Sequence, residues 1–81
     1  MVGENFGGLP VINIKATGNN IDRLRTESGI TCYEIQYACG VSFQAVYKWM
    51  RGENLPSIDH LVILADMLDV TVDDLLVVDM V

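Results

Sequence analysis

The residues best suited to nucleophilic or metal chemistry in this sequence are Cys32, Cys39 and the one histidine, His60. The two cysteines stand seven apart in a stretch with helical spacing, about 10 Å along a helix axis, which is too far for a disulfide. They lack the paired spacing of a zinc site, and His60 falls on another helix with no fourth ligand in view. No hydroxyl or thiol is grouped with a base that would activate it. The acidic run from Asp69 to Asp79 lacks the alternating oxygen ligands and central glycine of a calcium loop. The expectation is a protein that is not an enzyme and has no metal, cofactor or small-molecule substrate. Both cysteines read as small buried hydrophobes of a reduced, cytoplasmic chain.

The remaining chemistry is charge and hydrogen bonding. The net charge is −6, but it is unevenly spread. All five basic residues (Lys15, Arg23, Arg25, Lys48 and Arg51) lie in residues 1–52 against Glu4, Asp22, Glu27 and Glu34, so that 5 − 4 = +1. Residues 53–81 hold the other seven acids and no Lys or Arg. Affinity for a polyanion depends on the local basic face, so this distribution permits nucleic-acid binding without demanding it.

Eighty-one residues, 51% hydrophobic and 20% charged, suit one folded domain with a real core. No apolar run approaches the ~20 residues that span a bilayer, so no membrane role is expected. Met1–Asn5 lacks the basic and apolar regions of a secretory leader.

The elements that must position these side chains follow from spacing and punctuation. Residues 1–16 read as an N-terminal extension, a loose lead-in followed by a weak strand signal over Val11–Ala16. From Thr17 the pattern is helical. Asn19 and Asn20 precede a first helix with Ile21 and Leu24 inward, and Gly29 stops it. Thr31-x-x-Glu34 is a capping box opening a second helix with Ile35, Ala38 and Cys39 inward. Gly40 ends that helix, and Ser42 caps a third in which Val46, Trp49 and Met50 pack. Gly52 closes the third. Pro56-Ser57 opens a fourth with Ile58, Leu61, Leu64, Ala65 and Leu68 at helical spacing, and His60 on its outer side. Thr71-x-x-Asp74 starts a short fifth. Tyr33 and Tyr37, four apart, read as a surface pair, and Gln36 as solvated. The domain is expected over 17–77, with a tail at 78–81. The β-prone end could pair with Val11–Lys15 or with its copy in a second chain.

Two short helices joined by Gly40-Val41-Ser42 form a helix-turn-helix unit, whose second helix can enter a major groove. With Thr31-x-x-x-Ile35, Val46, Gly52, Pro56-Ser57 and the stretch Leu68–Leu76, this pattern resembles the phage-repressor (Xre-type) helix-turn-helix family. The likeness runs from Asn20 to Val77, about seven-tenths of the chain. It implies an all-α, five-helix, lambda-repressor-like DNA-binding domain, with room for a short terminal β ribbon. It also implies a sequence-specific regulator that binds double-stranded DNA. By this resemblance Phe43, Gln44, Tyr47 and Lys48 form the base-reading face. Ser42, Arg51 and Asn54, with Arg23 or Arg25, are the implied phosphate contacts.

Three positions depart from the family pattern. Cys32 stands where Gln usually grips a phosphate, Gln36 where a small residue usually sits, and Met50 where Glu is frequent. Cys32 and Gln36, with the low basic count, support a rival expectation, a protein-interaction module on the same scaffold with weak or lost DNA binding, an antitoxin-like role included. A homodimer through Leu75–Val81, with Val11–Lys15, is expected because one helix-turn-helix reads only a half-site.

Overall fold

Every helix in the chain begins where a side chain can accept a hydrogen bond from the first turn. Asn13, Thr31, Ser42, Ser57 and Thr71 each accept from the backbone N–H three residues later. The computed structural model describes residues 8–81. In chain order the elements are β1 (Pro10–Ile12), α1 (Ile14–Glu27), α2 (Cys32–Cys39), α3 (Phe43–Met50), α4 (Ile58–Leu68), α5 (Val72–Leu75) and β2 (Val78–Met80). Five helices and a short antiparallel ribbon make the lambda-repressor-like arrangement that the sequence implied. Most of the expected lead-in, residues 1–7, lies outside the described residues.

The first helix starts earlier than expected. Asn13, not Asn19 or Asn20, is its cap, and it cuts the strand signal short at Ile12. Asn20 is inside the helix and caps another element. Its amide donates to the carbonyls of Asp74 (2.8 Å) and Leu75 (3.1 Å) at the end of α5.

Ile21, Ile35, Val46, Trp49, Met50, Leu61, Leu64, Ala65, Leu68 and Leu75 form one core. Leu24 and Val41 pack against it half-buried. Ala38 is exposed because the inward stripe of α2 runs through Cys32, Ile35 and Cys39, about a quarter-turn away. Ile58 is exposed because the stripe of α4 begins at Leu61. His60 is half-buried, its ring 5.3 Å from that of Trp49 and its Nδ1 3.0 Å from the Ser57 hydroxyl.

The closest approach in the fold is between backbones. A Cβ on Gly18 of α1 would collide with the Trp49 carbonyl and lie 2.8 Å from the Gly52 nitrogen. A Cβ on Gly52 would collide with the Cα of Lys15, and Gly52 also has φ +72°. Paired glycines thus let α1 lie directly against the end of α3.

The terminal strands pair with each other in one chain: Pro10 opposite Met80, Val11 opposite Asp79, Ile12 opposite Val78. The fully buried Thr17 fastens this ribbon to α1, its hydroxyl accepting from the Val77 N–H at 2.9 Å. Asn13 adds a second fastening, with its N–H donating to the Val77 carbonyl and its amide to Asp79, each near 2.9 Å. Of the two pairings open to the C-terminal strand, the chain forms the internal one.

Gly18→Ala is expected to cost about 3 kcal/mol, the upper end of overpacking, because both bodies in the clash are backbone. Gly29→Ala, at φ +73° but with open space around it, should cost only about 1–2 kcal/mol. Denaturant midpoints of the two variants check the order, and equal shifts would mean that the helices part without cost.

Acid should weaken the caps of α2 and α5. Hydrogen bonds from the backbone and then the hydroxyl of Thr31 hold the Glu34 carboxyl below the usual range, and those of Thr71 do the same for Asp74. A carboxyl depressed in the folded state stabilises above its unfolded pKa, about 4, and loses that contribution as pH falls through the folded value. Thermal melts between pH 6 and 2 should therefore fall less steeply in Glu34→Gln than in the parent chain.

Candidate nucleic-acid interface

The turn between α2 and α3 is set by three residues. Gly40 ends α2 in the left-handed region (φ 64°, ψ 35°), Val41 tucks against the core, and the Ser42 hydroxyl accepts from the Ala45 N–H at 3.1 Å. The sequence of α3 then divides it. Val46, Trp49 and Met50 face inward, leaving Phe43, Gln44, Tyr47 and Lys48 exposed on the other side. All four residues of the expected base-reading face lie together on one exposed surface. The rings of Phe43 and Tyr47 stack with centroids 4.5 Å apart.

Ser42, Arg51 and Asn54 flank this surface and are also exposed. Arg51 does not point freely into solvent. Its Nε donates to Glu53, which raises the guanidinium pKa and holds the Glu53 carboxyl below its usual range. Lys48 and Lys15 add attraction to the same carboxylate. Three of the five cations therefore gather around the α3–α4 loop. Lys15 is the member that sequence spacing missed. It read as part of a strand, but Asn13 starts the helix early and the glycine contact sets Lys15 beside Gly52. No local sequence signal announces that proximity.

The two arginines of α1 are engaged elsewhere. Arg25 is mostly buried, pairs with Asp22 at 2.7 Å and donates to the Ile30 carbonyl at 3.1 Å, tying α1 to the turn before α2. Arg23 pairs with Glu27 at 3.0 Å and donates to the Asn20 amide oxygen, on the side of α1 that caps α5. At the start of α2, the Glu34 carboxylate already accepts from the Thr31 N–H at 2.8 Å. The N-terminus where the family holds phosphate thus carries an internal anion.

Between the starts of α2 and α3 lies a cleft of about 220 Å³, lined by Cys32, Tyr33, Gln36, Phe43 and Tyr47. Cys39, also partly buried, has its thiol pKa pushed up by desolvation. No group of three or more His, Cys, Asp or Glu side chains converges among the described residues. No described helix is long and apolar enough to cross a membrane.

Comparison with known proteins agrees with this geometry. The helix-turn-helix family profile matches residues 21–75. No curated protein matches the chain at a significant level. Among solved structures, the biofilm master regulator SinR in complex with DNA is 30% identical, with a TM-score of 0.64, covering 73% of this chain and 95% of that one. The clp gene regulator ClgR of Corynebacterium glutamicum is 25% identical, with a TM-score of 0.72 over 80% of this chain and 69% of its own. The restriction-modification controller protein C.AhdI of Aeromonas hydrophila, 24% identical with a TM-score of 0.68, covers 76% of this chain and 94% of its own, and shares the fold. Kinship with regulators accords with the expectation of a non-enzymatic role. A profile match over residues 21–75 and a 30% identical relative, matched over 95% of its own chain, place the chain in the helix-turn-helix family, within the Xre/Cro-like superfamily of transcriptional regulators.

Proposed function

We propose that this chain is a sequence-specific double-stranded DNA-binding regulator of the phage-repressor type, acting in the cytoplasm, with α3 inserted in the major groove. The observation that carries this is the division of α3. Its inward face is locked by Trp49 and Met50, while Phe43, Gln44, Tyr47 and Lys48 stand together, exposed, on the outer face. The Gln44 amide suits the paired donor and acceptor of adenine, and Lys48 suits guanine acceptors or a phosphate. Arg51, Lys15, Asn54 and the α3 start at Ser42 are the backbone grips on this reading. Arg25 holds the fold together and Arg23 is a lesser contributor. SinR, a 30% identical relative, is a regulator seen with DNA, which supports the same class of partner.

A protein-docking role beside the DNA face is the second reading. Tyr33 and Tyr37 on α2 are 72% and 82% exposed, and exposed tyrosines are frequent anchors of protein interfaces. This surface would add a partner to the DNA function rather than replace it.

We also propose that the protein works as a homodimer, so that two α3 helices reach successive half-sites. Leu75 is fully buried in its own chain, which confines the available surface to the ribbon. Val11, Ile12, Val78, Met80 and Val81 are all exposed there. The free edge of β1 carries Pro10, which cannot donate, so a face of the ribbon is a better contact than that edge.

Gln44→Ala should change the base motif recovered from a random duplex pool, whereas Arg51→Ala should weaken all sequences alike and leave the motif intact. Equal changes of motif would refute this division of roles. With so few free cations, log K should fall shallowly with log salt, by about 0.9 per phosphate neutralised.

Sedimentation of the full chain and of a form ending at Val77 tests the dimer. The full chain is expected to associate at micromolar concentration and the shortened form to remain monomeric. A full chain that stays monomeric throughout removes the dimer from the proposal.

A further inference from the structure

The cleft between α2 and α3 has an origin in this chain's own substitutions. Two of its three departures from the family pattern, Cys32 and Gln36, line it, although they lie on separate turns of α2. Its other walls are Tyr33 and the stacked pair Phe43 and Tyr47. No charged side chain borders it. Phe43 places it at the first turn of α3, which is the end of a recognition helix that approaches base edges.

We propose that this cleft is a specificity pocket for the 5-methyl edge of a pyrimidine, thymine in ordinary DNA. The inference rests on the DNA-binding reading above and names what that site selects. In the major groove thymine alone among the four bases presents an apolar group, its C5 methyl, next to the O4 acceptor. The Phe43 and Tyr47 rings and the Cys32 thiol supply an apolar seat for that methyl. The Gln36 amide, the polar group of the α2 wall, can meet the neighbouring O4 with a donor. The side chain that replaces the usual small residue then has a use at the surface, and so does the thiol that replaces the usual phosphate-gripping Gln.

The test uses the full chain and the duplex it selects from a random pool. Each thymine of that duplex is replaced singly by deoxyuridine, which removes the methyl and nothing else. At one position per half-site, binding should weaken about four-fold, the factor for one buried methyl at about 0.8 kcal/mol. Cytosine placed there should bind more weakly than 5-methylcytosine by a similar factor. Phe43→Ala, at a half-exposed site, should bind the thymine and deoxyuridine duplexes with equal affinity, whatever its loss of affinity for both. If the chain binds its duplex and every deoxyuridine matches thymine, the pocket is refuted while the DNA-binding reading stands. If Phe43→Ala keeps the methyl preference, the pocket is refuted too. If no duplex is selected at all, the DNA-binding reading fails, and the pocket with it.

Discussion

The contact between Gly18 and Gly52 is the constraint on which the rest of the arrangement depends. A recognition helix is useful only if its exposed face is held at a fixed angle to the body behind it. Here α1 meets the end of α3 backbone to backbone at Gly18 and Gly52, at a separation that admits no side chain. Backbone atoms cannot repack as a leucine can, so this contact has one geometry. It holds at one angle the face that helical spacing divides, with Trp49 and Met50 inward and Tyr47 and Lys48 outward. It also brings Lys15 to the α3–α4 loop.

Polar fastenings complete what the glycine contact begins. Asn13, Thr17 and Asn20 all lie within eight residues of α1 and its cap, and each reaches more than fifty residues ahead in the chain. Asn20 satisfies carbonyls that a helix end leaves open, and the Thr17 hydroxyl accepts from the Val77 N–H just before β2. The ribbon is therefore held by hydrogen bonds to α1 more than by burial, since all six of its strand residues are exposed. Such a segment is firmly placed yet leaves apolar surface available to a partner.

The electrostatic design separates reading from gripping. Seven acids follow residue 52, yet Glu53 is turned toward Arg51, Lys48 and Lys15. A carboxylate among these cations competes with any phosphate that approaches them. Non-specific attraction is lowered most where it would otherwise be strongest. On the proposed DNA-binding reading, discrimination would then fall to uncharged groups such as Gln44, Phe43 and Tyr47, whose contacts would depend on base edges and not on backbone charge.

By itself the sequence determined the helices and the caps of α2 to α5. Thr31-x-x-Glu34, Ser42, Ser57 and Thr71 mark boundaries by bonds that span three residues, and Ile35, Val46, Trp49, Leu61 and Leu64 mark inward faces by helical spacing. Gly40-Val41-Ser42 likewise encodes its turn locally, and with it the exposed face of α3. Where a residue's partner lies far along the chain, sequence spacing says nothing. Asn20 looked like a cap for its own helix and caps α5, Gly18 gave no signal, and Lys15 looked like part of a strand. Arg25 looked like a phosphate contact, although its guanidinium is held by Asp22 and the Ile30 carbonyl. Only the tertiary structure decided these, and only it joined Cys32, Gln36, Phe43 and Tyr47 into one cleft. The reason is physical: caps and spacing act within a turn or two of helix, whereas close approach, ion pairing and cavity shape arise when separate helices meet.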